Sequence, residues 1–401
     1  MAISRAAKRS FIPYGQHYLD ENDVEAVVRQ IRKGPLTQGP TIGEFEKQVA
    51  HYVGSKYAVA VSSGTAALHL ACLAAGIKPN DNGITTPITF IASANAIVYC
   101  GGTPHFVDID PETLNISPDL IAAKCRELGR VKVIIPVHFG GFPCDMEAIG
   151  KIGKNAGAIV IEDAAHALGA VYPDGGRVGN CKFSTMTVFS FHPVKLIAAG
   201  EGGMITTNDQ EIYGRLLQLR SHGIERDPSR FRNQTSGFTD GEPNPWYYEM
   251  QELGFNYRLT DIQAALGISQ MSKIETFLKR RKEIAAVYDR NLGNFENVSI
   301  VQSEGRERSA HHLYVLRINF GLLGLDRLRV MQSLRKKRVG TQVHYIPVHH
   351  QPFYQRFGFK PGSLPQADYY YDQALSLPMY YGLSASDQRY VIESVKAVVS
   401  K

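Results

Sequence analysis

Two hydrophobic periods take turns along the chain. Short apolar runs at Tyr57–Val61, Ile84–Thr86, His105–Asp108, Val131–Val137, Ala158–Ile161 and Met186–Phe191 read as buried strands. Between them, residues 66–75, 90–99 and 145–155 carry helical spacing. Upstream, Asp20 caps a helix over 20–33, in which Val24, Val27, Val28 and Ile31 recur at helical intervals. Gly34–Pro40 breaks that helix as a loop, and 42–52 is helical again. Strands alternating with helices predict an α/β layer built on a mainly parallel sheet.

Further along, 210–220 is helical. Residues 225–250 are polar, hold Pro228, Pro243 and Pro245, and read as a long surface loop. Residues 261–290 form one long helical pattern, and the domain boundary is expected near its start. That divides the chain into a large domain over 1–265 and a small one over 266–401. The small part reads as strand 313–318, helix 325–337, strand 341–345 and helix 384–399, which is enough for an α+β domain.

Composition narrows the classes. The chain has 401 residues, 44% hydrophobic and 20% charged, with a net charge of +6. That charge suits anionic small molecules and does not argue for nucleic acid. The dense basic runs, 279–282 and 335–338, lie in helical patterns and read as solvated faces. The five cysteines show no CxxC spacing, so neither a disulfide framework nor a zinc cluster is expected, and a reducing cytoplasm fits. Met1–Ser10 is basic without the apolar core of a signal peptide. Gly83–Val107 is long and uncharged, but Pro87, Asn95 and Pro104 favour strand, turn and buried helix over a membrane span.

Candidate chemistry gathers at predicted strand ends. Lys195 follows the strand ending in Ser190-Phe191, where open α/β sheets place their ligands. A desolvated Lys there can attack a carbonyl carbon, while a Lys lying along apolar surface is the plainer reading. Ser62-Ser63-Gly64-Thr65 joins a strand to a helix, a layout that binds phosphate and equally serves as a helix cap. Asp163 ends another strand and is expected on the same rim as Lys195. A lysine, a carboxylate and a phosphate cradle are what pyridoxal phosphate requires. Phe90 either stacks on such a ring or packs in the core. Asp163 with His166 lacks a second ligand pair, and His344, His349 and His350 straddle a proline-flanked loop, so no metal is expected. A serine nucleophile at Ser190 lacks a GxSxG elbow.

These motifs carry a resemblance. Residues 34–39 (GPLTQG), 63–68 (SGTAAL), 162–167 (EDAAHA), 190–195 (SFHPVK) with 200–203 (GEGG), and 254–258 (GFNYR) stand in the order seen in the DegT-type sugar-nucleotide aminotransferases. That family is a branch of the fold-type I pyridoxal phosphate enzymes. The resemblance implies a large domain around a seven-stranded sheet and a homodimer with shared sites. It implies that Lys195 holds the cofactor covalently and moves the proton, that Asp163 pairs with the pyridinium nitrogen, and that His166 lies near the phenolic oxygen. It places Ser63, Gly64, Thr65 and Ser190 at the phosphate, joined by Asn256 of the second subunit. It assigns Tyr14, Gly34, Pro35, Leu36, Thr37, Gln342, Val343, His344 and Tyr345 to the sugar-nucleotide pocket.

Within the family, residues 220–223 (RSHG), 262–267 (IQAALG) and 342–345 (QVHY) are most similar to the pseudaminic acid branch. That branch moves an amino group from L-glutamate to C-4 of a UDP-linked 4-keto-6-deoxy-N-acetylhexosamine. Amination of another UDP-, dTDP- or GDP-linked keto-sugar at C-3 or C-4, and a non-catalytic regulator keeping the fold, stand beside it. Some relatives carry His in place of the Lys and deoxygenate the sugar; Lys195 favours transamination.

Overall fold

A computed structural model describes residues 9–400. The strands are β1 (Tyr57–Val61), β2 (Asn82–Thr85), β3 (Thr103–Phe106), β4 (Val133–Ile135), β5 (Ile159–Asp163), β6 (Met186–Ser190) and β7 (Gly203–Thr207), in the spatial order β1-β7-β6-β5-β4-β2-β3. Adjacent strands from β3 to β6 pair in parallel, and β7 runs against both its neighbours. The helices are α1 (Glu21–Lys33), α2 (Pro40–Val53), α3 (Gly64–Ala74), α4 (Ala92–Tyr99), α5 (Pro118–Leu128), α6 (Met146–Ala156) and α7 (Gln210–Arg220).

The strand period of two sorts side chains into two cores. Ala58, Ala60, Val160, Phe189 and Met204 pack with Phe45 of α2 and Ile149 of α6. Their neighbours Val59, Val61, Ile161, Val188 and Ile205 pack with Leu68 of α3 and Leu216 of α7. Both faces are covered, as a parallel sheet requires.

Strand β7 was not legible as a strand, yet its register sets the site. Gly203 pairs with Val61 on one side and Ser190 on the other, while Asp163 pairs with Val188. The ends of β1, β5 and β6 therefore meet on one edge.

Residues 225–250 are not structureless. They hold β8 (Ile224–Glu225), α8 (Gln234–Gly237), β9 (Phe238–Thr239), β10 (Glu242–Pro243) and β11 (Glu249–Met250), with β8 paired to β11 and β9 to β10. Phe231 packs on Tyr247 at 4.8 Å, and Glu249 accepts from the amides of Arg232 and Asn233.

The long helical pattern splits into α9 (Asp261–Met271) and α10 (Ile274–Leu292). At the break, the Lys273 ammonium reaches Asp20 at 2.8 Å and Asp23 at 2.6 Å. Ser269 and Gln270 also donate to Asp23. Buried Asp23 thus holds α1 to α9, and the expected apolar face of α1 is left outside, with Val24, Val28 and Ile31 exposed.

Beyond α10 come β12 (Val298–Ile300), β13 (Tyr314–Ile318), α11 (Arg327–Lys336), α12 (Pro352–Gln355), α13 (Pro365–Gln373), β14 (Ala374–Leu377) and α14 (Ala385–Val399). The sheet β12-β13-β14 is antiparallel. The expected strand at 341–345 is absent; β14 takes its place. Gln342 makes one bridge to Ser376, and the His344 carbonyl is taken by the Tyr370 hydroxyl, which ends any ladder there.

The two cores change over within α10. Ile274, Phe277 and Leu278 belong with the seven-stranded sheet; Ile284, Tyr288 and Leu292 belong with the C-terminal sheet, as does Ile12. The boundary expected at residue 265 falls inside α9. Arg281, read as part of a solvated run, is buried because its guanidinium donates to the carbonyls of His311, His312 and Met379. Among the described residues no helix is long and apolar enough to cross a membrane.

Candidate active site

The aligned strand ends open into a cavity of about 820 Å³. Ser63, Gly64, Thr65, Phe90, Asp163, His166, Ser190 and Lys195 all line it, as do Tyr14 and Gln342–Tyr345.

The Ser63 hydroxyl accepts the Ala66 amide and caps α3, and the first turn of that helix faces the cavity. Helix N-termini favour anions through their open amides and dipole. The turn sits tight against two strands. A Cβ on Gly64 would lie 2.9 Å from Ser190 Cβ, and one on Gly203 would lie 2.3 Å from the Ser63 carbonyl oxygen. Only glycines allow this approach.

Asp163 is the last residue of β5 and is buried. Ser93 donates to Oδ2 at 2.6 Å and the Ala165 amide to Oδ1 at 3.1 Å. These bonds fix the direction in which the carboxylate points.

Lys195 Nζ has no hydrogen-bond or ion-pair partner among the described residues. Burial pushes its pKa down to about 8, against the opposing pull of Asp163. The side chain is not laid along an apolar surface; it ends in the cavity.

The His166 ring lies tilted against that of His312 with centroids 4.3 Å apart, and its Nε2 meets the Tyr345 hydroxyl at 3.0 Å. Burial, then the charges of Lys195 and His344, hold it well below the usual histidine range, so it is neutral. Its Nδ1 is buried without a partner. His344, bonded to Ser376 Oγ at 2.8 Å, is pushed down to about 4, chiefly by burial.

Phe90 is 57% exposed, so it is not a core residue; its ring lies at the cavity mouth, 6.4 Å from that of Tyr345. Gly34, Pro35, Leu36, Thr37 and Asn256 do not line this cavity. They lie in neighbouring segments: Thr37 bridges Thr260, the Asp261 amide donates to the Leu36 carbonyl, and Asn256 bridges Ser221. Neither Ser93 nor His312 carries a local sequence signal for the site. Ser93 has no motif of its own, and His312 arrives from the C-terminal part through Arg281.

The residues fit pyridoxal phosphate. The glycine-walled cradle would be filled by any Cβ, the buried His166 Nδ1 lacks a partner, and the Asp163 carboxylate lies close enough to act on a lysine whose pKa burial has lowered. Ser63–Thr65 and Ser190 would hold its phosphate, Asp163 its ring nitrogen, and Lys195 its aldehyde carbon.

Comparison with known proteins agrees. Residues 17–396 match the DegT/DnrJ/EryC1/StrS aminotransferase family. The chain is 40% identical to the spore coat polysaccharide biosynthesis protein SpsC of Bacillus subtilis, over 98% of this chain and 98% of that one. It is 33% identical to the UDP-4-amino-4,6-dideoxy-N-acetyl-beta-L-altrosamine transaminase of Campylobacter jejuni, over 97% and 98%. Among solved structures it resembles Helicobacter pylori PseC, an aminotransferase involved in the biosynthesis of pseudoaminic acid, with a TM-score of 0.87 and 29% identity over 98% and 100%. The chain belongs to the DegT/DnrJ/EryC1/StrS aminotransferase family and is a pyridoxal-phosphate-dependent sugar-nucleotide aminotransferase.

Proposed function

We propose that the chain moves an amino group from L-glutamate to C-4 of a UDP-linked 4-keto-6-deoxy-N-acetylhexosamine, as in pseudaminic acid synthesis. The observation that carries this reading is the cavity itself. It has the open first turn of α3 at Ser63–Thr65, a lysine of lowered pKa, and room beyond them under Tyr14 and Gln342–Tyr345 for a nucleotide sugar. The C-4 assignment draws on the likeness to the Campylobacter and Helicobacter enzymes. The higher identity to SpsC favours a second reading, in which a different nucleotide-linked keto-sugar is aminated.

When bound, pyridoxal phosphate supplies the electron sink that lets a proton leave a carbon bearing an amino group. The chain does the rest. Asp163, fixed by Ser93 and Ala165, would face the ring nitrogen and favour its protonated form. Lys195 moves the proton. With a pKa of about 8 it is roughly one-tenth neutral at pH 7, near the optimum for exchanging protons in either direction. His166 stays neutral and is held by Tyr345.

We further assign a homodimer. Val24, Val28 and Ile31 form an exposed apolar row on α1, and the segment Gly34–Thr37, with exposed Leu36, follows directly on the end of that helix. Gly34–Thr37 and Asn256 are excluded from their own chain's cavity, and in a dimer they complete the partner's.

Reaction of the apo chain with pyridoxal phosphate needs neutral Lys195, so its rate, followed by the visible absorbance, rises with pH with a midpoint near 8; a midpoint near the ordinary lysine value of 10.5 would argue against a desolvated lysine. Across a panel of UDP-, dTDP- and GDP-linked keto-sugars with L-glutamate, the UDP-linked 4-keto-6-deoxy-N-acetylhexosamine turns over best. Product only with another sugar supports the second reading, and none with any sugar refutes both. Ile31→Glu shifts sedimentation from dimer to monomer and lowers turnover at least roughly tenfold, the effect of burying an unpaired charge; a fully active monomer sinks the shared-site assignment.

A further inference from the structure

His349 and His350 end the 3₁₀ turn Val348–His350, and the sequence offers them no carboxylate nearby. The fold supplies one. Asp368, in the first turn of α13, places Oδ1 2.5 Å from His350 Nε2 and 3.1 Å from His349 Nε2. The ligand-capable atoms of all three residues lie within 4.8 Å of one another. The other carboxylate oxygen accepts the Gly362 amide at 2.7 Å, which fixes its orientation.

His349 is the telling member. It is fully buried, yet neither ring nitrogen has an aligned hydrogen-bond partner; the contact with Asp368 is close but off the bonding direction. Leaving buried polar atoms unsatisfied is costly, and such atoms call for an explanation. His350 and Asp368 are 19% and 18% exposed, so the cluster opens to solvent on their side. Asp108 adds negative charge. Its carboxylate accepts the Gln366 and Ala367 amides at the start of α13, and its field falls on His349.

We propose that His349, His350 and Asp368 bind a divalent transition-metal ion of the zinc class, with water completing the coordination. Two imidazoles and one carboxylate suit zinc, cobalt or nickel; calcium and magnesium prefer oxygen ligands throughout. None of the three residues lines the catalytic cavity, so the ion is structural. The turn follows directly on Gln342–Ile346, and the next residue, Gln351, reaches the cavity. An ion here braces that wall of the substrate pocket against α13.

The test uses the holoenzyme, equilibrated with Zn²⁺ or Co²⁺, dialysed free of excess and analysed for metal content. The expected result is one ion retained per chain with a raised thermal midpoint. His350→Ala and Asp368→Asn should each lower retention at least tenfold, with the cofactor absorbance unchanged. The cofactor absorbance reports folding, and Asp368→Asn keeps an acceptor for the Gly362 amide. Failure of the unaltered holoenzyme to retain the ion, or retention by both variants, overturns the proposal. Neither result depends on which sugar is the substrate.

Discussion

Gly203 has no side chain, and the site depends on that. Because β7 runs against its neighbours, its first residue lies between the last residues of β1 and β6. The Ser62–Thr65 turn can then close over Gly203 until the Ser63 carbonyl lies where a Cβ would be. Gly64 comes to rest against Ser190 by the same means. Two segments more than a hundred residues apart thus form one tight turn at the sheet edge.

The same edge accounts for the chemistry. Asp163 ends the next strand, so the carboxylate and the cradle are spaced by the sheet rather than by loops, which gives precision. Lys195 follows β6 and is half-buried beside them, and the desolvation that lowers its pKa outweighs the attraction of Asp163. Helix α10 ties the second half of the chain to this edge. Buried Arg281 holds the carbonyls of His311, His312 and Met379, bringing the His312 ring against His166.

Much of this was legible in the sequence. Runs such as Ala58–Val61 and Val133–Ile135 are buried on both faces and read as strands from their continuity alone. Lys195, Asp163 and the Ser-Gly-Thr turn were placed by their position at strand ends. Strand β7 carries no such signal. It opens with Gly203 and closes with Thr206 and Thr207, a polar-looking pattern whose hydroxyls are satisfied by the Gly179 and Thr185 carbonyls once folded. Ser93, His312 and the meeting of Asp368 with His349 and His350 rest on tertiary contacts that no local period encodes. The apolar row on α1 kept its helical spacing but faces outward, because Asp23 and Lys273 claim the inner side.

The most direct test of the strand-edge account is Gly203→Ala. Pyridoxal phosphate affinity and the urea midpoint would be measured together. Overpacking at a closed backbone contact costs about 1–3 kcal/mol. The account predicts binding weakened by roughly tenfold or more, beyond any change in unfolding, as the cradle is pushed off Ser190. Unaltered affinity in a folded Gly203→Ala chain would contradict it.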